Sequence, residues 1–179
     1  DLVAAKEAES KAVAAAKAAR MEAEKAQANS ADAIAAQRAE SQKLKAEAEK
    51  SKKSRAEGAA FLEKNKTAEG VKVTASGLQY KCLKEGDGRR PVATDFVTVH
   101  YEGTLIDGTV FDENKVTDQP VEFEAGGVIK GWQEALEMMV EGDSYELVIP
   151  SGLAYGCRGK ASIKADQVLV FTVQLLKIK

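Results

Sequence analysis

Large apolar side chains follow two different patterns along this chain. Across residues 1–66 they occur sparsely: Leu2, Val3, Val13, Met21, Ile34, Leu44, Phe61 and Leu62 are the only eight. Gaps of 8 to 13 residues separate those from Val3 to Leu44, so neither a heptad seam nor a continuous 3.6-residue stripe results. The intervening residues are Ala, Glu, Lys, Gln and Arg, which lose little side-chain freedom in a helix. With no Pro and one Gly (Gly58), the pattern predicts helix from Leu2 to about Lys66, supported by i,i+4 pairs such as Glu7–Lys11 and Glu49–Lys53. Such a helix would be a rod of roughly 90 Å. Asn29-Ser30-Ala31-Asp32 offers a cap at which it could divide into two helices. A solvated spacer and an Ala-mediated coiled coil both fit this segment.

Beyond residue 66 the period shortens. Thr67-Ala68-Glu69-Gly70 ends the helical pattern, and Val71-Lys72-Val73-Thr74 begins a series of strands. Leu78 to Leu83 reads as a strand closed by Gly86-Asp87-Gly88, and Phe96 to Tyr101 as another with Val97, Val99 and Tyr101 on one face. Asp107-Gly108, between Leu105-Ile106 and Thr109-Val110-Phe111, predicts a two-residue type I′ hairpin with positive φ at both positions. Trp132, Leu136 and Met139 at i, i+4 and i+7 mark one short helix, stopped by Glu141-Gly142-Asp143. Tyr145, Leu147 and Ile149 alternate up to Pro150, and Leu169, Phe171, Val173 and Leu175 alternate in a last strand over Val168 to Ile178. The expected fold class is α+β: a mostly antiparallel sheet with a single helix covering one side.

Composition sharpens this division. Of 30 alanines 22 lie in residues 1–66, whereas 41 of the 49 other apolar residues, all three prolines and 13 of 14 glycines lie beyond. Eight large side chains cannot enclose a core, while 113 residues make one small domain. The organisation predicted is an arm over residues 1–66, a linker over 67–74 and a domain over 75–179.

Charge and ionisable groups exclude several function classes. The arm carries 14 Lys/Arg against 11 Asp/Glu and the remainder 12 against 17, so neither part has the field of a nucleic-acid-binding surface. No apolar run approaches the ~20 residues of a membrane span. The start at Asp1, without Met, fits a leader already removed. His100 is the single histidine, and Cys82 and Cys157 have no metal-ligand spacing, which argues against triad or zinc chemistry. No cofactor or metal is expected, and the two cysteines read as free thiols.

Four stretches carry a specific resemblance. They are Val97-Thr98-Val99-His100-Tyr101-Glu102-Gly103-Thr104-Leu105-Ile106-Asp107-Gly108-Thr109-Val110-Phe111-Asp112, Val128-Ile129-Lys130-Gly131-Trp132-Gln133-Glu134-Ala135-Leu136, Ile149-Pro150-Ser151-Gly152-Leu153-Ala154-Tyr155-Gly156, and Leu169-Val170-Phe171. In order and spacing, over about residues 75–179, they closely resemble the FK506-binding-protein family of peptidyl-prolyl isomerases. The junction from Gly58 through Phe61-Leu62 and Gly70-Val71 to Ser76-Gly77-Leu78-Gln79-Tyr80 resembles the macrophage-infectivity-potentiator and FkpA-type branch. That resemblance implies a twisted antiparallel sheet wrapped around one short helix and preceded by a long helical arm. It implies a periplasmic or cell-surface location and possible homodimerisation through the arm, although the branch's Met-rich seam is not visible.

The implied activity is proline cis/trans isomerisation in unfolded or flexible polypeptides, with macrolides such as FK506 and rapamycin as possible ligands. A holdase chaperone or proline-binding module with little turnover is the alternative. By resemblance Trp132 floors the pocket and Tyr101, Phe111, Val128, Ile129 and Phe171 wall it. The Ile129 N–H and the Tyr155 hydroxyl hold substrate carbonyls, Asp112 polarises the wall, and Ile163 reaches in from a loop. Asp112 also reads as a turn carboxylate and His100 as structural. Three departures stand out: Ile163-Lys164-Ala165 where Ile-Pro-Pro is usual, Thr117 where a basic partner of the pocket Asp is common (Lys115 being a substitute), and Val121 in place of an aromatic.

Overall fold

The computed structural model describes the backbone of residues 2–115 and 118–179, and the side chains of residues 17, 19–22 and 33 onward within that range. Thr117, one of the three departures, lies outside the described residues. The chain divides into two compact units, residues 1–48 and 49–179.

The described residues of the first unit, 2–48, are helical throughout. Helix α1 (Leu2–Asn65) runs without interruption through residues 29–32, so of the two readings offered there the single helix holds and the division into two does not occur. Ala-rich sequence on both sides continues the backbone hydrogen-bond ladder, and one polar tetrapeptide costs too little to break it. Met21, Ile34 and Leu44 are exposed on this helix.

The second unit holds the last turns of α1 and a seven-stranded sheet. Its strands are β1 (Val71–Val73), β2 (Gln79–Lys84), β3 (Phe96–Leu105), β4 (Val110–Asn114), β5 (Val121–Glu124), β6 (Ser144–Ile149) and β7 (Leu169–Ile178). They pair in the order β1-β2-β6-β7-β3-β4, with β5 also on β3, and every pairing is antiparallel. β3 is long enough to hold β5 along its first half and β4 along its second: Val97 opposes Phe123 and Gly103 opposes Asp112. The expected fold class, an antiparallel sheet against one short helix after a long helical arm, is borne out.

Helix α2 (Lys130–Met138) lies against the sheet through Trp132, Ala135 and Leu136, with Met139 buried just beyond it. Gly131 permits this close approach, since a Cβ there would stand 2.5 Å from Ile149 Cγ2. The Glu141-Gly142-Asp143 stop acts through Asp143, whose carboxylate accepts from Val140 N–H (2.8 Å) and Gly86 N–H (2.7 Å). The core formed between helix and sheet includes Val97, Val99, Leu147, Ile149, Leu169 and Val173.

The β3–β4 hairpin differs from expectation. Gly108 has φ +84°, but Asp107 is not among the residues of positive φ, and Leu105 accepts from Gly108 N–H while donating to Thr109 O, both at 2.9 Å. The loop is therefore three residues, Ile106-Asp107-Gly108, ending in a left-handed glycine. Asp107 Oδ1 accepts from Thr109 N–H at 2.9 Å, which satisfies the turn without left-handed backbone at an aspartate. Strand β5 was not read from the sequence, although Val121-Glu122-Phe123-Glu124 alternates half-buried and exposed.

Candidate active site

A cavity of about 260 Å³ opens beside α2, between the helix and the strands that curve over it. Trp132 enters it from the first turn of α2, and three rings meet its indole edge-on. Phe171 of β7 stands 5.3 Å away, Tyr101 of β3 5.4 Å, and Phe123 of β5 5.8 Å, with interplanar angles of 83–86°. Phe111 of β4 then packs perpendicular to Phe171 at 5.5 Å. Edge-to-face contacts put positive ring edges against negative faces, so the cluster is held by ring electrostatics as well as by burial.

Gly103 makes the Phe111–Phe171 wall possible. It sits between Asp112 and Phe171 in the sheet register, and a Cβ there would lie 2.7 Å from Phe171 and 2.8 Å from Phe111. The opposite side of the cavity is the 127–129 segment, where Gly127, Val128 and Ile129 line it. Gln133, one turn into α2, donates from Nε2 to Gly126 O (2.9 Å) and Val128 O (2.6 Å), fixing that segment against the helix. Ile129 caps α2 in extended backbone, and no acceptor for its N–H is found among the described residues.

Polar groups are few. Tyr101 Oη donates to Asp112 Oδ2 at 3.0 Å. Burial, then this bond, then the charges of Asp112 and Tyr155, push the Tyr101 phenol up to about 12. The phenol therefore stays a neutral hydrogen-bond donor at any ordinary pH. Tyr155 lines the cavity, and Lys160 Nζ stands 5.3 Å over its ring. The buried Trp132 Nε1–H has no partner among the described residues.

The structure thus brings together Tyr101, Phe111, Asp112, Val128, Ile129, Trp132, Tyr155 and Phe171 around one cavity. Ile163 is not in its lining; its side chain is 7% exposed and packs in the core. Lys115 does not serve Asp112, because its Nζ is paired with Glu113 Oε1 at 3.0 Å. His100 lies on the other face of β3, where its Nδ1–H donates to Asn114 Oδ1 at 2.8 Å and Asn114 Nδ2 donates onward to Gln119 O. Phe123, Gly103, Gln133 and Lys160 were missed by sequence reasoning. Alternation in β5 could have found Phe123; no local pattern marks the others. Cys82 and Cys157 are both exposed, unpaired thiols.

The chemistry this arrangement allows is limited and specific. The Tyr101 hydroxyl paired with Asp112 keeps its proton, so the pair is not an activated nucleophile, and around it lies an apolar, aromatic enclosure with hydrogen-bond donors at its edge. Such a site suits a reaction in which shape and water exclusion do the work.

Comparison with known proteins places this geometry. Residues 87–176 match the family described as FKBP-type peptidyl-prolyl cis-trans isomerase, and residues 3–82 match the domain amino terminal to FKBP-type peptidyl-prolyl isomerase. The FKBP-type 22 kDa peptidyl-prolyl cis-trans isomerase of Escherichia coli K12 is 52% identical over 124 residues, covering 69% of this chain and 60% of that protein. The outer membrane protein MIP of Legionella longbeachae is 43% identical over 130 residues, covering 72% and 56% respectively. The crystal structure of FkpA from Escherichia coli superposes with a TM-score of 0.72 at 39% identity, over 74% of this chain and 62% of that one. The chain thus spans about half the length of the curated relatives it matches, from 47% to 60%.

Proposed function

This chain belongs to the FKBP-type peptidyl-prolyl cis-trans isomerase family, and from that premise we propose that its aromatic cavity catalyses rotation about X–Pro bonds in unfolded or flexible polypeptides. The observation that carries the proposal is the convergence of Tyr101, Phe111, Phe123 and Phe171 on Trp132 around a cavity of about 260 Å³, with Asp112 and Tyr155 at its wall.

The barrier to X–Pro rotation is about 18–20 kcal/mol because twisting the C–N bond breaks amide resonance. The twisted imide is less polar along C–N than the planar one, so removing water from it favours the transition state over the ground state. In the proposed mode the prolyl ring sits on Trp132, and Phe111, Val128 and Phe171 exclude water from the imide. The Ile129 N–H and the Tyr155 hydroxyl hold flanking carbonyls. Asp112, held by Tyr101, presents its charge near the rotating carbonyl. No proton changes hands. The test is whether the chain accelerates cis–trans conversion of a short X–Pro peptide, read by a protease that cleaves only the trans form.

The same cavity would take macrolides of the FK506 and rapamycin type, which would then inhibit turnover competitively. We further propose residues 75–179 as the isomerase domain, with β1 of the preceding 67–74 segment joining its sheet, and a periplasmic or cell-surface location. Among the described residues no helix is long and apolar enough to cross a membrane, and a relative from Legionella longbeachae bears an outer-membrane name. For the arm, self-association through exposed Met21, Ile34 and Leu44 is tested by equilibrium sedimentation, a monomer mass at all concentrations assigning it a spacer role.

A further inference from the structure

One buried carboxylate is left unused by the isomerase mechanism. Asp166 is 6% exposed and lies outside the cavity, in the segment that leads from Pro150 to β7. Its backbone has φ +57°, a left-handed conformation uncommon outside glycine that Asp tolerates better than most residues, and here contacts hold it. Three groups do so. The Asp166 N–H donates to Gly156 O at 2.9 Å. Its Oδ2 accepts from Arg55 Nη2 at 2.9 Å and from Ser51 Oγ. The Ser51 bond, with Arg55 adding to it against the cost of burial, holds the Asp166 carboxyl below its ordinary value.

Ser51 and Arg55 are four residues apart, on one face of the final turns of α1. That face lies against the segment's exit as well: a Cβ on Gly58 would stand 2.7 Å from Val168 Cγ2. Close approach at Gly58 is what lets a side chain as short as serine reach Asp166.

The segment this contact closes carries two groups of the cavity wall. Tyr155 immediately precedes Gly156, the acceptor of the Asp166 N–H, and Lys160 lies over the Tyr155 ring. Residues 151–168 contain no proline to fix φ. Gly156, Gly159, Ala161 and Asp166 all have positive φ. Internal bonding is local: two short 3-10 turns at Ser151–Leu153 and Gly156–Arg158, a reciprocal Lys160–Ile163 pair at 2.8 and 2.9 Å, and Lys164 N–H to Gln167 Oε1 at 2.8 Å. The Asp166 N–H to Gly156 O bond alone spans the segment. Such a backbone has many alternatives of similar energy, and an external anchor selects among them.

We infer that Ser51 and Arg55 of α1 are positioning residues for the isomerase pocket: by clasping Asp166 they set the backbone of residues 155–166 and thereby the placement of Tyr155 and Lys160. This rests on the isomerase reading of the cavity. It gives the end of the helical arm a part in turnover without contact with substrate.

The full chain tests it by peptide isomerisation kinetics well below the melting temperature, with amide hydrogen exchange of residues 156–166 measured alongside. The double variant Ser51→Ala, Arg55→Ala is expected to lower kcat/KM about three- to tenfold, mainly through KM, and to speed exchange at the Asp166 amide. Arg55→Lys, which keeps a charged donor, is expected to retain most of the activity. Lys53→Ala, on the same helix but paired with Glu57 at 3.7 Å, is expected to match wild type. Wild-type kcat/KM in the double variant would overturn the inference and leave the isomerase reading standing. So would a loss of activity with loop exchange unchanged. A wild-type chain without turnover would overturn both.

Discussion

The Tyr101 hydroxyl donates to Asp112 Oδ2 across 3.0 Å, tying β3 to β4 at the cavity wall. The pair fixes where Asp112, the only carboxylate in the cavity lining among the described residues, points, and it also makes Tyr101 a reporter of the site. Burial is the largest cause of the raised Tyr101 pKa, and the Asp112 bond and charge come next. Asp112→Asn keeps an acceptor and removes the charge, so the Tyr101 pKa is expected to fall from about 12 while staying above the ordinary 10. Absorbance titration of the phenolate reads this directly; an unchanged value would remove Asp112 from the account of Tyr101.

The same shift has a consequence for folding. Because the folded-state pKa is raised, the Tyr101 contribution to stability is complete below pH 10 and is lost as pH rises through about 12. Denaturant titrations at rising alkaline pH are expected to show wild type losing stability across that window, and Tyr101→Phe losing less. Parallel losses in the two proteins would contradict this.

Gly103→Ala places a methyl group within 2.7–2.8 Å of both Phe171 and Phe111. The rings have to move, and the space open to them is the cavity. Overpacking of this kind costs about 1–3 kcal/mol, and peptide kcat/KM is expected to fall about tenfold. Chemical denaturation and isomerisation kinetics measure the two effects; a variant like wild type in both would show that the wall is not held by this contact.

Truncation tests whether the end of α1 is part of the folded unit. Gln79 is 4% exposed, donates from Nε2 to Leu62 O at 2.8 Å and accepts from Asn65 Nδ2 at 2.9 Å. Residues 67–179 alone would leave that amide without either partner and Asp166 without Ser51 and Arg55. They are expected to be less stable than residues 49–179, each lost hydrogen bond being worth about 0.5–1.5 kcal/mol net. Equal melting temperatures would contradict this.

How much of this was legible in the sequence depended on the range of the interaction. The helix of the arm, the strand alternation in β3, β6 and β7, and the Trp132–Leu136 stripe follow from local residue pattern, and each stands in the structure. Eight of the nine expected site residues line one cavity: Tyr101, Phe111, Asp112 and Phe171 from strands, Trp132 from α2, and Val128, Ile129 and Tyr155 from the segments beside them. What sequence did not show is set by tertiary contact. Gly103 matters because two distant rings press on it. Asp166 matters because residues more than a hundred positions earlier hold it. Ile163 lies in the core, within a segment that includes four residues of positive φ, a backbone path no local sequence pattern marks. The hairpin shows the limit within local reading: Asp-Gly signals a turn, but Asp107 is satisfied by its own side-chain bond and leaves positive φ to Gly108 alone.

The central claim is most directly tested by cis–trans conversion of a short X–Pro peptide in the presence of the full chain, followed with a trans-specific protease. Unaided conversion takes tens of seconds. The account predicts acceleration proportional to protein concentration, competitive inhibition by a macrolide, and a loss of about three- to tenfold in kcat/KM for Tyr155→Phe without a change in melting temperature. Conversion at the unaided rate, with aggregation of an unfolded client nonetheless suppressed, would contradict it and leave the cavity as a binding site alone.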